Sequence, residues 1–313
     1  MRTDFKDCSV SPVPPINSSI SPLRFCCATS RIPFHQYKNV SDTLIQKYYP
    51  PSLKVSLGSS RQTNTTFVKN ADDSLLCSNQ FLGIADGVSE WNEKSNGFTS
   101  LWSQLILLRT LNWLEKTMVN PAEFSILGDG SDSSLLTRAM DQSFDETNYV
   151  MENFGYMGSS TLLLAYLRLR KLQIMNIGDS RLWVIRDGQF IHTNEVQHTS
   201  APGQIGTNSS IYPSDKAEIS IIDIQPGDIV ILMTDGISDN LWPEDILSIT
   251  LEGLKSGGIQ MAAKQLTANA FSTANDNYAV CPYMLHNESS MAYRGGRNDD
   301  ATVCVAIVEE NSA

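Results

Sequence analysis

The chain has 313 residues, 41% of them apolar, which is enough to fill the core of one large domain or two small ones. Its formal net charge of −11 argues against nucleic acid or an anionic membrane as a general partner, because both require a basic face. The longest apolar runs, 162–167 and 229–233, are far shorter than the roughly 20 residues of a membrane helix, so we expect no membrane insertion.

Residues 1–50 differ in composition from the rest of the chain. They contain six of the thirteen prolines, many serines, and six Lys or Arg residues against three Asp residues. We expect this segment to be poorly ordered, and residues 51–313 to form the folded domain. A basic, serine-rich segment is typical of an organelle transit peptide, which would direct the protein to mitochondria. The alternative is a solvated tail on a cytoplasmic protein.

A predicted hairpin follows, with apolar strands at 74–77 and 81–85 separated by Ser78 and Asn79. Antiparallel pairing would bring Asp73, before the first strand, close to Asp86, after the second. Two carboxylates this close repel each other unless a cation or a proton lies between them. The simpler interpretation is a turn at Asp86-Gly87, since Asp-Gly is a strong hairpin signal.

The next elements alternate between helices and short strands. Helical spacing of apolar side chains predicts helices at 97–116, from Ser133 or Ser134 to about 151, at 245–255 and at 261–274. Strands are predicted at 160–169, 172–177, 182–185, 190–193, 217–224, 229–234 and 302–308. Adjacent strands with short connections must be antiparallel. The pattern predicts an α+β sandwich built as one domain.

The Asp-Gly pattern recurs further along the chain. Residues 233–238 repeat residues 84–89 almost position by position, and Asp235 again follows an apolar strand. In residues 185–190 the Asp-Gly lies between two strands among polar residues, where a turn is the better interpretation. An acidic pair, Asp299-Asp300, opens the last strand. Oxygen ligands converging without His or Cys favour Mg²⁺ or Mn²⁺ over Zn²⁺.

These motifs together resemble the metal-dependent protein serine/threonine phosphatases of type 2C, over about residues 55–310. The motifs, in family order, are Asp72-Asp73, Ala85-Asp86-Gly87, Gly158-Ser-Ser-Thr161, Asn176-Ile-Gly-Asp-Ser-Arg181, Thr234-Asp-Gly-Ile-Ser-Asp239 and Asn298-Asp-Asp-Ala-Thr302. Further matches resemble the subgroup that includes the mitochondrial T-cell activation phosphatase homologue. These are Gly87-Val88 with Trp91, Gln197-His198, Pro282-Tyr283 and Arg294-Gly-Gly-Arg297. The resemblance implies two antiparallel β-sheets packed face to face with helices on both sides.

The resemblance also implies a two-metal centre. It assigns the ligands to carboxylates at four positions and to one carbonyl: Asp73, Asp86, Asp235, Asp299 and Gly87. Asp72 is implied to hold metal-bound water. Asp179 and Asp239 match positions that in the family can hold a third, weaker metal.

The implied activity is hydrolysis of phosphoserine and phosphothreonine in proteins. Two Mg²⁺ or Mn²⁺ ions would lower the pKa of a water that attacks phosphorus directly, without a phosphoenzyme. The sequence has neither the Asp-x-Asp motif of aspartyl-phosphate phosphatases nor a Cys-x5-Arg loop. We expect a monomer whose partner is a phosphoprotein substrate.

Three positions depart from the wider family pattern. Val88 replaces a His suited to protonate the leaving group, as it does in the resembling subgroup, so no general acid is identified. The Arg that grips phosphate in many members is not at the matching place; Arg61, Lys69 and Arg297 are candidates to replace it. Ser89-Glu90 stands where the subgroup has small glycines, and Glu90 would add negative charge near the site.

Two other functions were weighed against the active enzyme. A catalytically weak, phosphatase-like protein could act by binding a partner. Such a binding protein would have no chemical need for four convergent carboxylates, which cost stability when they are unpaired. A metal-dependent nuclease is disfavoured by the acidic composition.

Overall fold

Two antiparallel sheets form the centre of the computed structural model. The structure describes residues 21–34, 66–70, 72–119, 132–197, 203–207, 209–286 and 295–311. The first sheet has the order β1 (Leu23–Ile32), β13 (Ala301–Glu310), β12 (Ile229–Met233), β8 (Arg181–Arg186) and β9 (Gln189–Thr193). In β12 every side chain is apolar and buried. Such a sequence suits a strand that is covered on both faces.

The second sheet has six strands. Their order is β11 (Glu218–Asp223), β7 (Lys171–Ile177), β6 (Leu162–Arg168), β4 (Phe81–Ala85), β3 (Asp73–Cys77) and β2 (Thr66–Asn70). The predicted hairpin is present, with Ser74 opposite Ala85. A short pair, β5 (Ser159–Ser160) and β10 (Ile205–Gly206), lies apart from both sheets. All the strand pairs are antiparallel, as predicted.

Helices cover the outer faces of the two sheets. The described helices are α1 (Thr99–Val119), α2 (Asp132–Phe154), α3 (Pro213–Lys216), α4 (Asp235–Ser238), α5 (Pro243–Ala274) and α6 (Pro282–His286), together with a 3₁₀ helix, Ser89–Glu93. Non-helical dihedrals at Gly257 and Gly258 divide α5, so the two helices predicted there are present. Within the described part of the chain, no helix is both long and apolar enough to cross a membrane.

Three apolar clusters make up the core. One lies between the sheets and includes Leu82, Leu163 and Leu232. Another joins the second sheet to α1 and α2, and the third joins the first sheet to α5. The layers are therefore helix, sheet, sheet, helix, and the predicted fold is confirmed.

Strand β1 contradicts part of the expectation for residues 1–50. Residues 23–32, expected to be poorly ordered, pair with the full length of β13, from Leu23 opposite Glu310 to Ile32 opposite Ala301. Leu23 and Phe25 are buried in the core between the sheets. Ten residues of pairing and two large apolar side chains outweigh the local proline and serine content. Residues 1–20 and 35–50 lie outside the described residues.

Candidate active site

Strand topology gathers the predicted carboxylates at one edge of the sandwich. Asp73 begins β3 and Asp86 directly follows β4, so antiparallel pairing brings both to the same edge. Asp235 follows β12 after one residue, and Asp299 lies two residues before β13, which is antiparallel to β12. Asp179 follows the end of β7 in the same way. Each carboxylate is thus positioned by a rigid strand end.

The side chain of Asp73 joins the two sheets. Its Oδ2 accepts hydrogen bonds from Thr302 Oγ1 at 2.6 Å and Thr234 Oγ1 at 3.2 Å. Asp73 belongs to the second sheet, whereas the two threonines flank strands of the first. Only 2% of Asp73 is exposed. These bonds fix one carboxylate oxygen at a buried position that bulk water does not reach.

Asp86 and Gly87 are held by neighbouring backbone. The Asp86 N–H donates to Thr161 Oγ1 at 3.1 Å, and its carbonyl accepts from the Thr161 N–H at 2.8 Å. Gly87 is buried so closely against Thr99 and Asp72 that a Cβ there would lie 2.4 Å from Thr99 Cγ2 and 2.5 Å from the Asp72 carbonyl oxygen. A larger residue at position 87 would displace the backbone that carries Asp86.

Asp72 occupies the layer behind Asp73. Its Oδ2 accepts from Asn92 Nδ2 at 2.7 Å, while its N–H donates to Asp300 Oδ2 at 3.3 Å. Its Oδ1 is buried and has no hydrogen-bond partner. Asp300 also accepts from the Phe34 N–H at 2.8 Å and thereby fixes the end of β1. Asp300 acts here as an acceptor for backbone groups.

Arg297 lies among the carboxylates on the other side of the site. Its Nη1 is 2.5 Å from Asp235 Oδ2 and 2.6 Å from Asp239 Oδ2, and its Nη2 is 3.0 Å from Asp299 Oδ2. Asp235 is 6% exposed, and its Oδ1 is buried without a hydrogen-bond partner. The cluster therefore combines acidic groups, the Arg297 guanidinium, and a buried carboxylate oxygen that accepts no hydrogen bond from the described residues.

Burial and mutual repulsion raise the pKa values of these carboxyl groups. Burial, followed by the charge of Asp300, raises the pKa of Asp72 to about 7. Burial and Asp235 raise the pKa of Asp179 and of Asp299 to about 7, although Arg297 opposes both shifts. The pKa values of Asp73 and Asp86 are raised well above the ordinary range, again first by burial and then by other carboxylates of the cluster. A bound cation would relieve this repulsion.

The donor set fits hard divalent cations. All its side-chain donors are carboxylates, the ligands preferred by Mg²⁺ and Mn²⁺. The orphaned Oδ1 of Asp235 is a buried acceptor of the kind that a cation satisfies. Among the described residues, no three acidic side chains bring one oxygen each within 4.8 Å of one another. Three of the acids, Asp235, Asp239 and Asp299, contact the Arg297 guanidinium and do not converge on one common position.

The remaining residues considered for phosphate binding and proton transfer differ in their surroundings. Arg61 and the side chain of Lys69 lie outside the described residues. Arg297, a candidate to grip phosphate, has both terminal nitrogens bound to carboxylates. Val88 is half-buried and offers no proton, while Glu90 is exposed on the 3₁₀ helix.

Three residues at the site were not singled out from the sequence. Thr234 and Thr302 bind Asp73, and Asn92 binds Asp72. The signal for the threonines was their place inside the Thr-Asp-Gly and Asp-Asp-Ala-Thr motifs, directly beside predicted ligands. Asn92 lies in a short helix with no comparable signal.

Three thiols form a second cluster. Cys27, Cys77 and Cys304 lie with their Sγ atoms all within 4.8 Å of one another, between the two sheets. Cys27 Sγ contacts the Ser78 carbonyl oxygen at 3.8 Å. Sulfur contacts among the three thiols and burial raise the pKa of Cys304 well above its usual value. Cys77 and Cys304 are buried.

Comparison with known proteins gives the family. Residues 84–309, more than two thirds of the chain, match the family described as Stage II sporulation protein E (SpoIIE). The chain is 28% identical over 243 residues to Probable protein phosphatase 2C 62 of Arabidopsis thaliana, covering 76% of this chain and 30% of that protein. It is 29% identical over 303 residues to Protein phosphatase PTC7 homolog fig of Drosophila mojavensis, covering 88% and 92%. The chain spans 30%, 56% and 52% of the lengths of three Arabidopsis relatives.

Two solved structures share the fold. The photosystem II phosphatase PBCP superposes with a TM-score of 0.62 at 22% identity, covering 90% of this chain and 98% of that one. The catalytic domain of the serine/threonine protein phosphatase PstP, in complex with 2 manganese ions, gives 0.55 at 17% identity, covering 92% and 100%. The family match confirms the family that the motifs indicated. The chain belongs to the SpoIIE family of type 2C protein serine/threonine phosphatases, and within it to the PTC7-like subgroup.

Proposed function

We propose that the chain hydrolyses phosphoserine and phosphothreonine in proteins, in a reaction that depends on Mg²⁺ or Mn²⁺ and forms no phosphoenzyme. The observation that supports this most is the convergence of Asp73, Asp86, Asp235 and Asp299 at one edge of the sandwich, where Asp235 Oδ1 is buried and unpaired. Unpaired buried carboxylates cost stability unless a cation binds them. In the type 2C family, that cation is a divalent metal ion.

The four carboxylates and the Gly87 carbonyl would hold two ions, with Asp179 and Asp239 available to a third. When bound, the ions supply an acidified water and neutralise charge on the phosphoryl oxygens. Thr234 and Thr302 fix one Asp73 oxygen, which leaves the other for ligation. Asp72, held by Asn92, is the acceptor available to orient water.

The leaving group of the reaction must also receive a proton. At position 88, valine has no titratable group, so the alkoxide of the leaving serine or threonine must take its proton from water or from another acid. We assign no residue as general acid.

One assay tests the proposal directly. The purified chain is incubated with a phosphothreonine peptide in Mn²⁺, Mg²⁺ or EDTA, and phosphate release is measured. We expect release with either ion and none in EDTA. Absence of turnover in both ions, together with Mn²⁺ binding by calorimetry, would instead indicate a phosphatase-like binding module.

The location of the protein in the cell is a separate proposal. Mitochondrial delivery is supported by the serine- and proline-rich composition near residue 1 and by the PTC7-like subgroup. Because β1 begins at Leu23, the addressing segment must end before that strand. Residues 1–20 fused to a fluorescent protein should carry it into mitochondria, and a diffuse cytosolic signal would reject the proposal.

A further inference from the structure

Arg297 makes more contacts to the carboxylate cluster than phosphate recognition would require. Its two terminal nitrogens reach Asp235, Asp239 and Asp299 at 2.5 to 3.0 Å. A guanidinium presents a rigid fork of donors that matches carboxylates. Here that fork is filled by three acids of the candidate site.

The backbone around Arg297 is built to keep it there. The Arg297 N–H donates to Asn240 Oδ1 at 2.9 Å, and its carbonyl accepts from Asn240 Nδ2 at 2.8 Å. Asn240 also donates to the Gly236 carbonyl in α4, the helix that carries Asp235. The guanidinium carbon lies 5.6 Å from the centre of the Tyr283 ring. Asn240 and Tyr283 thus fix Arg297 relative to the acids.

The charge of Arg297 is permanent in this setting. A guanidinium is not deprotonated in proteins, so Arg297 carries its positive charge beside these acids. The same three acids would otherwise repel one another within a poorly solvated site. Arg297 supplies the positive charge that keeps them together when no divalent ion is bound.

We propose that Arg297 is a positioning residue: a built-in counter-cation that holds Asp235, Asp239 and Asp299 together in the metal-free protein and opposes a further ion on the Asp239 side. This rests on the proposed function only in assuming that divalent ions bind the cluster. A fixed positive charge raises the free energy of a divalent ion placed beside it. Arg297 would therefore limit how many ions the cluster accepts.

Stability without metal gives the first test. In EDTA, Arg297→Gln should lower the melting temperature by roughly 5 °C or more, because it removes the cation that pairs with Asp235, Asp239 and Asp299. Arg186→Gln is the matched control, since Arg186 makes two 2.7 Å bonds to buried Asp228 away from the site. Both variants lose a buried ion pair. Only Arg297→Gln should recover when Mn²⁺ is added.

Metal binding gives the second test. By calorimetry, Arg297→Gln should bind the weakest Mn²⁺ ion about tenfold more tightly than the wild type, or bind one more ion. Arg297→Lys keeps the charge and should stay near the wild type, which covers the case in which the Gln variant does not fold. An unchanged melting temperature in EDTA, or equal Mn²⁺ binding in the Lys, Gln and wild-type proteins, would overturn the proposal. Neither readout uses turnover, so a wild type that fails to hydrolyse phosphopeptide leaves this test intact.

Discussion

The carboxylate cluster and the thiol cluster draw on the same strands and have opposite chemistry. Asp73 and Cys77 are the first and last residues of β3, and Cys304 lies within β13, which follows Asp299 after one residue. The acids lie at the edge of the sandwich, surrounded by hydroxyl donors and Arg297. The thiols lie between the sheets among leucine and valine side chains.

The difference shows that clustering of ligand atoms does not by itself make a metal site. The three sulfurs lie closer together than any three of the described acids, yet sulfur contacts and burial raise the pKa of Cys304 and so disfavour its thiolate. Burial in apolar surroundings keeps a thiol protonated and inert. The acids lie farther apart, but they keep an orphaned oxygen and a compensating cation. We expect divalent metal at the acids and simple packing at the thiols.

The largest expected effect separates the clusters by activity. Asp86→Asn or Asp235→Asn should lower the phosphatase rate on the order of a thousandfold, because each removes a ligand charge at the site. Cys77→Ala, on the strand that carries Asp73, should keep the rate per folded molecule. Steady-state kinetics with circular dichroism of each variant measures both quantities. A rate near wild type in either Asn variant would remove that acid from the metal site.

A smaller effect is expected at the edge of the carboxylate cluster. Asp179→Asn and Asp239→Asn should leave the tight ions bound but lower turnover about tenfold at low Mn²⁺, since each loses a ligand charge of the weaker site. Titration of activity with Mn²⁺ measures the midpoint and the maximum. If both variants match the wild type in both quantities, these residues hold no third ion.

The response to pH sharpens the comparison further. Asp72, Asp179 and Asp299 have pKa values of about 7 in the folded metal-free protein, against roughly 4 when unfolded. Between these values the folded state binds more protons, so stability falls as pH rises. In EDTA the melting temperature should therefore increase from pH 8 to pH 5.5. Saturating Mn²⁺ should reduce this dependence, whereas substitution of Cys304 by alanine should not alter it.

The smallest effect is expected from soft metal ions at the thiols. Cd²⁺ added with excess Mg²⁺ should change the melting temperature of the wild type and of Cys27→Ala equally, because the buried thiols stay protonated. Differential scanning fluorimetry measures the shift. A stabilisation by Cd²⁺ that Cys27→Ala abolishes would make the thiol cluster a metal site after all.

Sequence patterns predicted those parts of the structure that are determined locally. Apolar runs and tight turns located β3, β4, β6 to β9 and β11 to β13, and the repeated Asp-Gly located Asp86 and Asp235. Strand β1 was missed because its partner β13 lies more than 250 residues away and its flanks are rich in proline and serine. The Thr302 bond to Asp73 was missed because it forms only when the two sheets pack. The position of Arg297 depends likewise on contacts with α4.

The hydrogen bonds from Thr234 and Thr302 to Asp73 tie the geometry of the site to the distance between the sheets. Asp73 comes from one sheet, while Asp235 and Asp299 flank strands of the other. An ion bound by carboxylates from both sheets must fit between them. The distance between the sheets, which the apolar side chains of the core set, therefore determines which ionic radius fits. Mg²⁺ requires oxygens at about 2.0–2.1 Å in nearly ideal octahedral geometry, and larger ions tolerate longer distances. Enlarging a side chain such as Leu232 between the sheets should then shift preference from Mg²⁺ toward the larger Mn²⁺, which makes ion selectivity a property of core volume.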